Sequence, residues 1–217
     1  MCIRDRLDNV QQDSKYLLAL INEILDLVKS QAYKTKLHPS LVNFSSFMED
    51  IVIDSRQKAA NKSISFKFET KGQLPNNIYA DEQRLRQVLL NLLDNAIKFT
   101  DQGQIVLQVD EILPKSKNNK SNDQVTLQQN LPDTICLRFK VADTGMGIEQ
   151  KNLTRIFQPF EQIDNHEVSK AGIGLGLSIS KQFVELMGGK LKIKSELGQG
   201  SLFWFDLICP EIKVSTL

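Results

Sequence analysis

Apolar residues recur at helical spacing between Asp81 and Thr100, and this pattern predicts one amphipathic helix. The apolar stripe consists of Leu85, Val88, Leu89, Leu92, Ala96 and Phe99. Asp81 can accept hydrogen bonds from the exposed backbone N–H groups of the first turn, so it marks the helix start. Asn91, Asn95 and Lys98 lie at positions i, i+4 and i+7 and therefore share a second face. This polar face is either solvated or bound to a partner such as a metal-bound polyphosphate.

The patterns on both sides of this helix predict further strands and helices. Short apolar or alternating runs predict strands within residues 37–44, 64–68, 78–80, 105–109, 135–141, 191–193 and 202–208. Ser46 and Glu49 form a capping box that predicts a helix, with Phe47, Ile51, Val52, Ser55 and Ala59 on its inner side. Another helix is predicted over residues 177–187 and ends at the glycine pair 188–189. Strands that are segregated against helices on one face predict an α+β fold, a two-layer sandwich.

The remaining segments fall outside this sandwich. Residues 7–30 follow a heptad through Leu7, Val10, Ser14, Leu17, Ile21, Ile24 and Val28, which predicts one long bundle helix. Residues 1–6 do not match the rest of the chain and resemble translated sequencing adapter, so they are expected to be a non-native leader. Residues 112–132 are polar and are expected to be a disordered surface insertion. Residues 210–217 are a predicted tail.

Composition narrows the classes of function. The 217 residues carry a net charge of +1, which gives no general reason to expect nucleic acid as a partner. Cys2, Cys136 and Cys209 are far apart and lack metal-ligand spacing, so reduced thiols in a cytosolic setting are expected. No apolar run is long enough to span a bilayer, and no signal-peptide pattern is present. A cytoplasmic location is therefore expected, and membrane anchoring of the parent protein stays open.

Three glycine-containing blocks follow the central helix. Residues 143–147 (DTGMG) come after a predicted strand, residues 172–176 (GIGLG) open a helix, and residues 198–200 (GQG) precede the last strand. A carboxylate at Asp143 can accept a hydrogen bond from the exocyclic amine of adenine, but a turn between strands that contains Asp and Gly is the alternative interpretation of these residues. The second block places N–H groups at a helix N-terminus, where phosphate oxygens bind, although glycine-rich turns also occur without a ligand.

Together with residues 91–98, these blocks closely resemble the ATP-binding catalytic domain of sensor histidine kinases, in which they are the N, G1, G2 and G3 boxes. Residues 157–160 (FQPF) resemble the F box of that family. The resemblance covers residues 37–209 and implies a Bergerat-type fold, with a mixed, mostly antiparallel sheet and helices on one face. It implies an ATP lid at residues 161–172. It also identifies residues 7–36 as the second helix of a dimerisation and phosphotransfer hairpin, with its linker.

The resemblance implies roles for individual residues. Asp143 would recognise adenine. Asn95, helped by Asn91, would coordinate Mg²⁺ through its amide oxygen, and Lys98 would neutralise phosphate charge. The expected ATP-binding set is completed by Gly145, Gly147, Ile148, Phe160, Gly172, Gly174, Leu175, Gly176, Leu177 and Gly200. Phe157 and Phe160 are expected mainly to pack beneath the lid. ATP and Mg²⁺ are thus the expected cofactors.

Asn91 distinguishes among related enzymes. Where relatives that hydrolyse ATP or phosphorylate serine carry a general-base glutamate, this chain has an amide, which cannot take a proton. A histidine kinase is therefore expected, with a superfamily ATPase and a nucleotide-binding docking module as alternatives. Neither His38 nor His166 has the sequence surroundings of an acceptor, so the phosphorylated histidine is expected on a hairpin helix missing from this chain. Expected partners are that helix, a response regulator or receiver domain, and a second copy of the parent kinase in a homodimer.

Overall fold

A five-stranded sheet and three helices form most of the structure. The computed structural model describes residues 36–112, 134–161 and 174–212. The strands are β1 (Ser40–Asn43), β2 (Ser65–Lys71), β3 (Asn77–Ala80), β4 (Gln104–Ile112), β5 (Thr134–Asp143), β6 (Lys192–Glu196) and β7 (Gly200–Pro210). The helices are α1 (Phe44–Asn61), α2 (Glu82–Phe99) and α3 (Gly176–Leu186), and short 3₁₀ turns cover Gln150–Asn152 and Arg155–Phe157.

The strand order of the main sheet is β2-β4-β5-β7-β6. Strands β2 and β4 run parallel, and the other three neighbouring pairs are antiparallel. The predicted mixed, mostly antiparallel α+β fold is therefore confirmed. Strands β1 and β3 form a separate two-stranded antiparallel sheet. The sequence predicts both of these strands but not their pairing, because pairing depends on contacts between segments far apart in the chain.

Several predicted segments lie outside the described residues. They are the leader at residues 1–6, nearly all of the bundle helix and linker at 7–36, the insertion apart from residue 112, the lid apart from residue 161, and the end of the tail at 213–217. What the sequence predicts for them stays a prediction. Within the described ranges, no helix combines the length and the apolar character needed to cross a membrane.

The core lies against one face of the sheet. On β5 every second residue is buried and its neighbours are more exposed, as expected for a strand with one covered face. The buried residues are Ile135, Leu137, Phe139 and Val141. The Phe139 ring stacks on Phe205 of β7 with centroids 5.1 Å apart, and it meets Phe44 of α1 edge-on at 6.1 Å. The Phe44–Phe139 pair joins the helical layer to the sheet, and each aromatic pair adds about 0.5–1.5 kcal/mol beyond its buried area.

Helix α1 begins before the predicted capping box. Its N-cap is Asn43, whose side chain accepts the Ser46 backbone N–H at 3.0 Å. The predicted cap by Ser46 and Glu49 is therefore wrong. Asn caps a helix as well as Ser does, and the earlier start buries Phe44 completely. The predicted inner side of α1 is buried at every position, namely Phe47, Ile51, Val52, Ser55 and Ala59.

Helix α2 is capped by Asp81, as the sequence predicts. Oδ1 of Asp81 accepts the Arg84 backbone N–H at 3.1 Å, and Oδ2 accepts the backbone N–H of His38 at 2.9 Å. One carboxylate therefore holds both the first turn of α2 and the segment that leads into β1. The predicted apolar stripe is buried except for Phe99, which is 37% exposed. Phe99 is the last residue of the helix, where the chain turns away toward β4.

The C-terminal end of α2 is held by a lysine from outside the helix. Lys62, directly after α1, donates from Nζ to three backbone carbonyls. They belong to Ile97, Lys98 and Thr100, at 3.0, 2.9 and 2.7 Å. Lys62 also pairs with Asp101 at 3.3 Å. An ammonium group is stabilising here because the last carbonyls of a helix have no partners within it and carry partial negative charge.

Candidate functional site

The polar face predicted on α2 is present, and it contacts α3. Asn91 Nδ2 donates to Ser180 Oγ at 2.7 Å, and Asn95 Nδ2 lies 3.5 Å from Asn91 Oδ1. Asn91, Asn95 and Lys98 are all half-buried. Asn91 therefore lies at the junction of two helices, whereas Asn95 and Lys98 lie further along α2 toward its C-terminal end.

Lys98 lies where its positive charge is poorly solvated. Burial lowers the pKa of its ammonium group below the ordinary lysine value. Its Nζ lies 4.6 Å from the centroid of the Phe99 ring, close enough for a cation–π contact. An anion bound beside Lys98 would restore part of the stabilisation that the charge loses on burial. This is the electrostatic setting expected of a residue that faces phosphate.

Asp143 lies at the end of β5, where its carboxylate is fixed by backbone groups. Oδ1 accepts the N–H of Gly145 at 2.9 Å and the N–H of Ser201 at 3.2 Å. Burial raises the pKa of this carboxyl, and the two N–H groups lower it by a smaller amount. Among the described residues, Oδ2 accepts no hydrogen bond. The site therefore offers one oriented acceptor oxygen to a ligand that carries an N–H donor.

Two glycines allow the loops around Asp143 to come together. A Cβ atom at Gly145 would collide with the carbonyl oxygen of Phe99, and one at Gly200 would collide with the carbonyl oxygen of Asp143. Gly200 also has a φ of +95°, which side chains rarely adopt. Met146 donates its N–H to the Phe99 carbonyl at 3.2 Å. The Asp143 loop is thus attached directly to the end of α2, beside Lys98.

A serine hydroxyl joins the other side of this loop to the start of β7. Ser195 Oγ accepts the Ile148 N–H at 2.8 Å and donates to the Gly200 carbonyl at 2.8 Å. It also lies 3.0 Å from Ser201 Oγ. Gly147 is buried against the end of β6. The predicted residues Gly145, Gly147, Ile148 and Gly200 therefore form one connected wall around Asp143.

The predicted phosphate-binding block lies at the start of α3. Gly176 is the first residue of this helix, Leu175 before it is fully buried, and Leu177 packs partly against the core. Phe160 donates its N–H to the Gly174 carbonyl at 3.1 Å, so the two sides of the predicted lid meet there. Phe160 itself is 60% exposed.

The remaining predicted residues of this region are two phenylalanines, one glycine and two histidines. Phe157 packs against the core, in line with the predicted packing role, whereas the exposure of Phe160 leaves its ring outside the core. Gly172 and His166 lie outside the described residues. His38 precedes β1 and is held there through its backbone N–H.

Sequence reasoning missed three hydroxyl residues at the site: Ser180, Ser195 and Ser201. Ser201 follows Gly200 directly, so its position next to a predicted block could have indicated it. Ser180 and Ser195 have no such signal, because a serine contributes nothing to an apolar period and its partners lie far away in the sequence. Thr100 was also missed. Its Oγ1 is buried without a hydrogen bond in the described part of the chain, and it lies beside Gly145.

A cavity of about 380 Å³ lies at the opposite end of α2. Its walls include His38, Asp81, Glu82, Arg84 and Arg86. The helix rise separates this end from Asn95 by about 20 Å. The cavity is therefore distinct from the residues that the sequence predicts to bind nucleotide.

Residues 80–211 match the model of one family, the histidine kinase-, DNA gyrase B- and HSP90-like ATPases. The chain belongs to this family. The match begins at the residue before Asp81 and ends in the bridge after β7, so it includes α2, the Asp143 loop and α3. The predicted ATP-binding domain is thereby confirmed.

Individual relatives are histidine kinases or similar signalling proteins. Hybrid signal transduction protein dokA of Dictyostelium discoideum is 36% identical over 211 residues, which cover 94% of this chain and 12% of that protein. Signal transduction histidine-protein kinase BarA of Escherichia coli (strain K12) is 32% identical over 206 residues, which cover 94% of this chain and 21% of BarA. This chain therefore spans only a small part of the curated relatives that it matches.

Solved structures are also similar to this chain. The crystal structure of full-length ShkA in complex with AMPPNP superposes with a TM-score of 0.75 at 29% identity. The match covers 97% of this chain and 40% of ShkA. The chain is thus similar to ATP-binding parts of histidine kinases in both sequence and fold.

Proposed function

We propose that this chain is the catalytic, Mg·ATP-binding part of a sensor histidine kinase. It would transfer the γ-phosphoryl group of ATP to a histidine on a hairpin helix of the parent kinase. The observation that carries the proposal is the Asp143 carboxylate, which is fixed through Oδ1 and keeps Oδ2 for a ligand. Its loop contacts the end of α2, which brings the Lys98 region next to it.

The adenine end of the ligand fits the Asp143 loop. The exocyclic amine of adenine is an N–H donor and would pair with Asp143, whereas guanine has a carbonyl at the same ring position. Gly145 and Gly147 lie in close contacts that a Cβ would block, so they give the loop its shape beside Ile148. The structure of ShkA with AMPPNP, an analogue of ATP, supports nucleotide binding by this fold.

The phosphate end fits the start of α3 and the end of α2. The backbone of Gly174, Leu175, Gly176 and Leu177 runs into the N-terminus of α3, where unpaired N–H groups and the helix dipole attract anions. Lys98 contributes a positive charge that burial leaves poorly solvated. We therefore assign phosphate contacts to these residues, together with Gly172 of the same block.

Magnesium fits this site through an amide oxygen. In the described part of the chain, no three His, Cys, Asp or Glu side chains lie together as a metal site. Mg²⁺ usually keeps several waters and binds phosphate oxygens, so one or two protein oxygens are enough. Asn95 would supply such an oxygen, with Asn91 next to it. When bound, Mg²⁺ would neutralise phosphate charge.

The transfer to histidine, rather than to water, is supported by Asn91. Its amide donates to Ser180 Oγ and has no group that can remove a proton from a nucleophile. A neutral imidazole nitrogen is already a nucleophile, so a histidine acceptor needs no base at this position. Phosphoryl transfer then depends on positioning and on charge neutralisation. An ATPase of the same superfamily is disfavoured for the same reason.

The partners follow from this assignment. BarA is named a histidine-protein kinase and dokA a hybrid signal transduction protein. We propose that the parent of this chain is a homodimeric kinase whose hairpin helix carries the acceptor histidine. A response regulator or receiver domain would take the phosphoryl group next. The reaction would take place in the cytoplasm, where ATP is available.

Phosphate transfer in trans tests the proposal. The chain is incubated with labelled Mg·ATP, alone and with a histidine-bearing hairpin protein. We expect almost no labelling of the chain alone, slow ATP hydrolysis, and acid-labile labelling of the hairpin. Asn95→Ala should abolish the labelling, whereas Asp94→Ala, at a side chain 52% exposed on the same helix, should not. Acid-labile phosphate on this chain alone that survives a His38/His166 double substitution would contradict the proposal.

A further inference from the structure

A polar contact lies within the packing between α2 and α3. Ser180 is 2% exposed, and the neighbouring residues Ile179 and Phe183 of α3 are also buried. The Ser180 hydroxyl accepts Nδ2 of Asn91 at 2.7 Å. The hydroxyl could also donate, so this bond alone does not decide which end of the amide faces Ser180, but breaking it would leave a half-buried NH₂ group without a partner. Ser180 therefore anchors this end of the Asn91 amide.

The other end of the same amide faces both Gly176 and Asn95. A Cβ atom at Gly176 would collide with Oδ1 of Asn91, so this end of the amide lies directly against the start of α3, where an NH₂ group with its hydrogens would fit less well than an oxygen. Asn95 Nδ2 lies 3.5 Å from the same Oδ1, at the long limit for a hydrogen bond. The three side chains thus form a directed series in which Asn95 donates to Asn91 and Asn91 donates to Ser180.

This direction determines what Asn95 presents to a ligand. A carboxamide has one acceptor end and one donor end. If the NH₂ group of Asn95 points to Asn91, its Oδ1 points away from that bond. If Asn91 were turned over, its NH₂ group would face Asn95, and Asn95 would turn its own oxygen inward to meet it. The NH₂ group of Asn95 would then face a bound cation, which it cannot coordinate.

We propose that Ser180 is a positioning residue for Mg²⁺ binding, acting through Asn91 on the amide of Asn95. This inference rests on the proposed function, since it needs the nucleotide and the metal to bind on this face of α2. Ser180 contacts neither of them. Its hydroxyl anchors the NH₂ end of Asn91 while the oxygen end lies against Gly176, and this placement makes the Asn95 oxygen available. Outer-shell partners of a metal ligand typically change metal affinity by about 10- to 100-fold when they are removed.

Calorimetric titration with ADP tests this proposal, in excess Mg²⁺ and separately in EDTA, for wild type and for Ser180→Ala. In EDTA we expect the variant and the wild type to bind ADP with the same affinity. In excess Mg²⁺ we expect the affinity of the variant to be about 10-fold or more below that of the wild type. Ser180→Thr, which keeps a hydroxyl, should retain most of the affinity that Mg²⁺ adds. Ser178→Ala is the matched control, because its hydroxyl on the same helix binds the Leu175 carbonyl instead.

A double-mutant cycle separates orientation from packing. In an Asn95→Ala background, Ser180→Ala should have no further effect on the Mg²⁺-dependent gain, since both changes act on one oxygen. An equal loss in EDTA and in Mg²⁺, or additive losses in the cycle, would overturn the proposal. If Ser180→Ala unfolds the chain, Ser180→Cys fills the same space with a weak acceptor and is judged by the same criteria. Failure of the wild type to bind ADP under either condition would instead contradict the proposed function.

Discussion

Oδ1 of Asp143 accepts the backbone N–H of Ser201 at 3.2 Å, which joins the end of β5 to the start of β7 through a side chain. The same two residues face each other in the strand register. The carboxylate is therefore held in place by the sheet itself. Because Oδ1 is already used, Oδ2 is the oxygen that the proposed contact with adenine would use, and this division of roles makes the effect of substitutions at residue 143 predictable.

Asp143→Asn should reduce the affinity for ATP. Asparagine can keep one oxygen on the two N–H groups, but it then presents an NH₂ group where adenine needs an acceptor. A mismatched buried polar pair costs about 1–3 kcal/mol, which corresponds to roughly a 5- to 150-fold loss of affinity. Calorimetry with ATP measures the change, and Asp101→Asn, at a side chain 96% exposed, is the control. Equal affinities of wild type and Asp143→Asn would remove residue 143 from adenine recognition.

The same substitution should stabilise the unliganded protein near neutral pH. Burial raises the pKa of Asp143, so the folded state keeps this proton to higher pH than the unfolded chain does. The contribution of Asp143 to the free energy of unfolding therefore falls as the pH rises from the ordinary aspartate range through the raised pKa. Asp143→Asn removes this penalty.

Thermal unfolding at several pH values checks this prediction. We expect the variant to melt at a higher temperature than the wild type at pH 7. The difference should shrink toward about pH 4, where the unfolded aspartate also becomes protonated. A variant that melts below the wild type at pH 7 would show that the carboxylate stabilises its loop more than its burial costs.

Ser195→Ala should weaken nucleotide binding without unfolding the domain. The hydroxyl joins the Ile148 N–H to the Gly200 carbonyl, so its loss loosens two loops beside Asp143. One such hydrogen bond contributes about 1 kcal/mol, and we expect ADP affinity to fall by roughly fivefold. Ser65→Ala on the exposed side of β2 is the control. Unchanged ADP affinity in calorimetry would limit Ser195 to a role in folding.

Lys62→Met should destabilise the fold through the end of α2. Methionine keeps the apolar stem but loses the ammonium that binds three carbonyls there. We expect the free energy of unfolding to fall by about 1 kcal/mol, the usual scale of a charge at a helix C-terminus. Urea denaturation measures it, with Lys67→Met on exposed β2 as the control. A loss no larger than that of the control would show that water replaces the lysine at little cost.

The sequence predicts the central helix of this fold well because its signals are local. The 3.6-residue period from Leu85 to Ala96 and the cap at Asp81 both lie within the segment that they describe, and both are confirmed. The predicted cap of α1 is wrong because the deciding contact is not local. Asn43 and Ser46 are both good caps, and the choice between them depends on where Phe44 is buried, which is a tertiary contact.

The candidate site also has a part that the sequence predicts and a part that it does not. Glycine blocks are visible in the sequence because glycine is chemically distinctive and because their order matches that of a known family. The contacts of Ser180 and Ser195 are invisible there, since each joins elements that meet only after folding. Residues that support a site through tertiary contacts are thus harder to predict than residues in a recognisable sequence block. The roles assigned to those residues stay predictions, which nucleotide titration and phosphate transfer in trans can test.

The carboxylate of Asp81 couples the segment that enters this domain to the first turn of its central helix. With Oδ2 on the His38 N–H and Oδ1 on the Arg84 N–H, the backbone at residue 38 cannot separate from the first turn of α2 without breaking one of these two hydrogen bonds. The same helix carries Asn95 and Lys98 about 20 Å further along its axis. Asparagine has one acceptor oxygen instead of two. Asp81→Asn would therefore keep the hydrogen bond to the Arg84 N–H or the one to the His38 N–H, but not both.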